Sequence, residues 1–141
     1  MALRLHPNRM LAALLGVLSL LAGTLMLAPA PARASAPVCQ VDYSVVNSWP
    51  TGFQSAVTVT NNGAPLTSWS VGFQFSGSQT VTNGWGGVYS QSGPQVTVAN
   101  APYNGALATG GSVTLGFNAN QTGNSAAPTG FTLNGVACSV G

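Results

Sequence analysis

Trp69-Ser70-Val71-Gly72-Phe73-Gln74-Phe75 alternates large apolar side chains with small or polar ones along its whole length. A period of two belongs to a strand with one face buried and one face wet, whereas a helix would scatter these four large groups around its circumference. The stretch predicts a half-buried β-strand whose core face carries Trp69, Val71, Phe73 and Phe75.

The same period recurs on both sides of it. Phe53, Ser55, Val57 and Val59 alternate with polar partners up to an Asn61-Asn62-Gly63 turn. Gln95-Val96-Thr97-Val98 is short and strand-like, and Gly110-Gly111 introduces Val113, Leu115 and Phe117. Phe131 and Leu133 run into Asn134-Gly135, a two-residue hairpin signal, with Val136 and Cys138 beyond it. No segment holds a helical period. Short strands separated by Gly, Asn and Pro turns predict an all-β fold, a single antiparallel β-sandwich of jelly-roll or immunoglobulin-like kind, over residues 35–141.

Residues 1–34 read differently. A basic start (Arg4, His6, Arg9), an apolar run from Met10 to Leu27 and a tail ending Ala32-Arg33-Ala34 form a secretory signal, with cleavage expected after Ala34. The run is long enough for an uncleaved membrane anchor, but Gly16, Gly23, Thr24 and the Ala-Pro tail favour cleavage. The expected product is secreted and extracellular.

Removing that segment changes the charge. The whole sequence has three Lys and Arg, one His and one acidic residue. Arg4, Arg9, Arg33 and His6 all fall in the signal, so Asp42 is the one charged side chain left. Nothing there attracts phosphate, which excludes nucleic acid and anionic membrane surfaces as partners. Glycoside hydrolysis normally takes two carboxyl groups, and nucleophile-histidine pairs or a histidine-held metal need a residue this region lacks. The expectation is a non-catalytic protein with no metal and no cofactor. Its two cysteines, Cys39 and Cys138, stand near the two ends of the sandwich region in a chain addressed to an oxidising compartment, so a disulfide joining those ends is expected.

Three aromatics escape the core pattern to different degrees. Trp85 sits in Asn83-Gly84-Trp85-Gly86-Gly87, a stretch with no strand or helix period and no side chains beside the indole to pack on, so exposure is expected. Strict alternation from Val41, Tyr43 and Val45 would turn Asn47 and Trp49 inward, unless a bulge at Val45-Val46 resets the face. Spacing alone leaves both readings of Trp49 open. Tyr103 lies in the turn Asn100-Ala101-Pro102-Tyr103-Asn104-Gly105, either capping the core or meeting a ligand. Aromatic rings rimmed by amides on an uncharged surface suit a pyranose, which offers an apolar C–H face to stack and hydroxyls to hydrogen-bond.

Cys39-Gln40-Val41, Asn47-Ser48-Trp49-Pro50-Thr51-Gly52-Phe53, Trp69, Asn83-Gly84-Trp85, Asn100 through Gly105, Gly116-Phe117-Asn118 and Asn134 through Cys138 together resemble a family 2 carbohydrate-binding module. The resemblance covers residues 35–141 in order. It implies a β-sandwich tied by a terminal disulfide, with a flat face of three exposed aromatics that docks on crystalline cellulose. Trp49, Trp85 and Tyr103 fall at those three positions, Asn47, Asn83 and Asn118 at polar positions beside them, and Trp69 at a buried core position. Trp49 is thereby expected outside. The third aromatic is usually tryptophan in cellulose binders of that family, and xylan binders lack it. Tyr103 therefore implies cellulose as ligand, with chitin and xylan as the alternatives. Such modules usually ride on a glycoside hydrolase through a linker; a stand-alone monomer and a truncated reading frame are both compatible with this sequence.

Overall fold

The computed structural model describes residues 36–141 together with Gly23. The expected signal and its cleavage site otherwise lie outside the described residues. Ten strands and no helix occur among the described residues: β1 (Cys39–Trp49), β2 (Gly52–Asn61), β3 (Ser70–Gln74), β4 (Thr80–Trp85), β5 (Gly87–Ser92), β6 (Gln95–Asn100), β7 (Ser112–Asn120), β8 (Thr129–Leu133), β9 (Val136–Ala137) and β10 (Ser139–Val140). They form two sheets, ordered β10-β1-β2-β7-β4 and β5-β6-β3-β8-β9. Every ladder is antiparallel except the two-residue pairing of β10 with β1, which runs parallel.

The alternation that predicts the sandwich also fills it. Trp69, Val71, Phe73 and Phe75 are buried as one row from the second sheet, facing Phe53, Val57, Val59, Leu115 and Phe117 from the first. Phe73 and Phe117 stack across the core, with ring centroids 5.5 Å apart. The Asn134-Gly135 signal is a tight hairpin between β8 and β9, and both residues have the positive φ that a mirror-image turn demands (49° and 81°).

Cys39 and Cys138 are joined in a disulfide across 99 residues of sequence. Closing a loop of that length removes on the order of 4 to 5 kcal/mol of unfolded-chain entropy in the chain-entropy model. β10 then lies beside β1, so both ends of the sandwich are fastened to one sheet edge. Trp49 stands at the end of β1 away from that fastening, and Trp85 at the end of β4 nearer to it.

Candidate functional site

The outer face of the first sheet is set by two β-bulges. Cys39, Val41 and Tyr43 of β1 point inward, opposite Asn61, Val59 and Val57 of β2. The register then shifts: Val45 pairs with Ser55, but Asn47 pairs with Gln54, so Val46 is extra. One inserted residue inverts the facing of everything after it. Asn47 and Trp49 therefore share the outer face with Gln54 and Gly52, and of the two readings open from spacing the bulge is the one found. Pro50 and Thr51 form the turn that ends the pairing.

β4 repeats the device. Val81 pairs inward with Ala119 of β7, Thr82 is extra, and Asn83 and Trp85 face outward opposite Asn118 and Gly116. Here the structure corrects the sequence reading. Asn83-Gly84-Trp85 is strand, and its period is hidden because the bulge breaks parity just before it.

Each indole lies over a glycine directly across the ladder. A methyl group on Gly52 would stand 2.7 Å from Trp49 Nε1, and one on Gly116 would run into the Trp85 ring. Only a bare backbone lets a tryptophan lie down on the sheet. The glycines around Trp85 have their own reasons. Gly84 faces inward, where a side chain would collide with the Tyr89 ring, and Gly86 turns the chain with φ of 84°. The indoles at 38% and 40% exposure are thus open on one flat side and closed on the other, unlike Trp69 at 2%.

Gly52 on β2 is level with Asn120 of β7, four residues along from Gly116. With a rise of about 3.4 Å per residue and about 4.8 Å between strands, the two indoles stand about 14 Å apart. Between them runs one row of amides straight across four strands: Asn47, Gln54, Asn118 and Asn83. Asn61, Gln79, Gln91, Asn100, Asn104 and Asn134 spend their side chains on backbone groups of turns and strands. The four amides of the row make no side-chain hydrogen bond with any described residue. Asn120, on the same face, is also free, as are Asn62 and Gln74 elsewhere. Asn118 Oδ1 is in addition shut off from solvent without a partner, which ordinarily costs about 1 to 3 kcal/mol.

Tyr103, at 81% exposure, stands at the tip of a separate loop. That loop is rigidly held. Asn104 donates from Nδ2 to the Gly86 carbonyl (2.7 Å) and accepts at Oδ1 from the Ala101 N–H (2.7 Å). The buried Trp69 indole donates from Nε1 to the Asn104 carbonyl (2.8 Å). Tyr103 is thus carried next to the residue that follows Trp85, and the other five expected site residues share the sheet face. Gln54 was not among the expected residues. Its outward parity beside Phe53 was readable in the sequence, but nothing in the pattern marked which outer face matters.

The face is electrically quiet. Asp42, the one charged side chain of the described region, is on it two residues beyond the level of Gly116, paired with Thr58. Beneath Trp85, the Tyr89 hydroxyl donates to the Gly116 carbonyl (2.8 Å) and lies 3.1 Å from the Trp85 carbonyl. Burial pushes its pKa up to about 12, against a smaller lowering by the Gly116 bond. The described residues contain no cluster of His, Cys, Asp or Glu able to hold a metal.

The fold has counterparts. Residues 39–138 match the family model described as cellulose binding domain. The chain belongs to that family. It is a binding module and not a catalytic one. Exoglucanase A of Cellulomonas fimi is 54% identical over 104 residues, 73% of this chain and 12% of that enzyme. The module thus spans about an eighth of that relative's length. The chitin-binding domain of Chi18aC from Streptomyces coelicolor superimposes with a TM-score of 0.61 at 36% identity, covering 73% of this chain and 96% of that domain. A cellulose-binding family 2 carbohydrate-binding domain gives 0.57 at 39% identity, covering 72% and 98%.

Proposed function

We propose that the module is secreted as a monomer and docks on the surface of crystalline cellulose, with Trp49, Trp85 and Tyr103 as the stacking rings and Asn47, Asn83 and Asn118 as hydrogen-bonding partners. The observation that carries this reading is the pair of indoles lying flat over Gly52 and Gly116, with unpartnered amides between them. Such a surface meets a flat, uncharged ligand and has no group that would cut it.

If each ring removes about 100 Å² of apolar surface from water, stacking supplies about 2.5 kcal/mol gross per aromatic. Three rings reach about 7 kcal/mol before the cost of association, and hydrogen bonds offset part of that cost, so affinity is micromolar in order. Adsorption to microcrystalline cellulose, with chitin and xylan in parallel, tests the proposal. Retention on cellulose at micromolar protein supports it; retention on xylan alone overturns it. Chitin is the second reading, favoured by the likeness to the Streptomyces coelicolor chitin-binding domain, and stronger retention on chitin would establish it instead.

A further inference from the structure

We propose that Gln54 is the central hydrogen-bonding residue of the aromatic face, accepting from a sugar hydroxyl at Oε1 while donating from Nε2 to Asn118 Oδ1. The inference rests on the aromatic-face reading above and deepens it.

Register puts Gln54 at the middle of the site. It is two residues along β2 from Gly52, and its partner Asn118 is two residues along β7 from Gly116. A line joining the two indoles therefore crosses the Gln54–Asn118 pair at its midpoint. Of the outward side chains on β2 there, Gly52 has none and Ala56 is too short to rise between rings. Gln54 alone is long enough. Asn47 and Asn83, on the outer strands, reach only the edges of a chain laid along that line.

The chemistry of the pair is complementary and incomplete. Asn118 Oδ1 is buried with no donor, and Gln54 carries an amide bonded to no described residue. Directly opposed residues on an antiparallel pair have Cβ atoms about 5 Å apart, within a glutamine's reach. Turning Nε2 onto Asn118 satisfies the orphaned acceptor and aims Oε1 outward, where a hydroxyl donates to it. The two bonds polarise one another, so ligand and Asn118 are coupled through one side chain.

The test is a double-mutant cycle on microcrystalline cellulose using wild type, Gln54→Met, Asn118→Ala and the double variant, each with its melting temperature. Methionine keeps the length and removes the hydrogen bonding. Gln54→Met is expected to weaken adsorption about tenfold at unchanged melting temperature. In the Asn118→Ala background the same substitution is expected to cost about twofold or less. Full affinity in Gln54→Met overturns the proposal, and equal losses in both backgrounds overturn the relay to Asn118. Should Gln54→Met fail to fold, Gln54→Thr, a strand-favouring residue too short for the relay, carries the same readout. A wild type that adheres to no polysaccharide removes the aromatic-face reading and this inference with it, an outcome separate from a loss confined to the variants.

Discussion

The two sheets present outer faces of similar polarity and different relief. Across the second sheet, Ser90, Thr97, Gly72 and Thr132 form one outward row, three short hydroxyl side chains and a bare glycine, with no aromatic among them. Across the first, the corresponding row is Asn47, Gln54, Asn118 and Asn83, with an indole on either side. Composition does not explain the contrast, because Trp69 sits immediately before β3 and stays in register with the core. An indole emerges only where an extra residue lies three positions ahead and a glycine lies across the ladder. β1 and β4 satisfy both conditions; Trp69 satisfies neither.

Breaking the buried member of the comparison has the largest expected effect. Trp69→Ala leaves a cavity in the packed row and is expected to lower unfolding free energy by about 3 to 5 kcal/mol in denaturant melts. It also removes the bond to the Asn104 carbonyl that moors the Tyr103 loop, so adsorption weakens alongside stability. Unchanged stability would show that Trp69 is not part of the core.

Trp49→Ala and Trp85→Ala are expected to do the reverse. Each weakens adsorption to cellulose by about 1 to 3 kcal/mol and shifts stability by less than about 1 kcal/mol, because one side of each ring is already in water. Loss of folding without loss of binding would invert the assignment of the two faces.

Gly116→Ala sharpens the point while keeping every aromatic. The added methyl lifts the Trp85 ring off the sheet, and adsorption is expected to fall by about 1 kcal/mol, less than in Trp85→Ala. If isotherms of Gly116→Ala match wild type, the flat seating of the indole does not contribute.

These cases also show what was legible in advance. The sandwich followed from parity in Trp69 through Phe75, Phe53 through Val59 and Val113 through Phe117, because regular strands keep their period. The Asn134-Gly135 hairpin followed from turn chemistry. Parity failed at Val46 and Thr82, where one inserted residue inverts the face and leaves no mark in composition. β4 therefore went unseen, and Trp49 was fixed only by resemblance. Gln54 was hidden for another reason: registry across β2 and β7 is a tertiary fact that no single strand contains.

An effect on stability alone separates the support beneath Trp85 from the ring itself. Tyr89 keeps its proton to about pH 12 in the folded state through burial, whereas an unfolded tyrosine loses it near 10. Between those values the folded state holds more protons than the unfolded one, so stability is full below about pH 10 and declines toward pH 12. Tyr43, raised in the same direction by burial, adds to the slope. Partial exposure reduces the Tyr89 share to about 1 to 2 kcal/mol. Tyr89→Phe is expected to flatten the decline in pH-dependent melts, and an unaltered slope would place the titration elsewhere.

The smallest expected effect is none at all, and it tests why this face differs from an ordinary charged surface. Lysine, arginine, histidine and glutamate are absent from residues 36–141, so Asp42 has no cation among the described residues beside it. Cellulose is uncharged as well. With no ion pair across the interface there is nothing for salt to screen, so the isotherm on microcrystalline cellulose is expected to hold from low salt to about 1 M NaCl. Salts excluded from apolar surface shift it, if at all, toward tighter binding, because ring stacking removes such surface from water. The polar second sheet shares the neutrality, so salt independence alone does not say which face binds; combined with Trp85→Ala it does. A variant that loses affinity by the same factor at both ends of the salt range assigns the interaction to stacking on the first sheet. A tenfold loss for wild type between low and high salt would mean that charge drives adsorption, which these residues cannot supply.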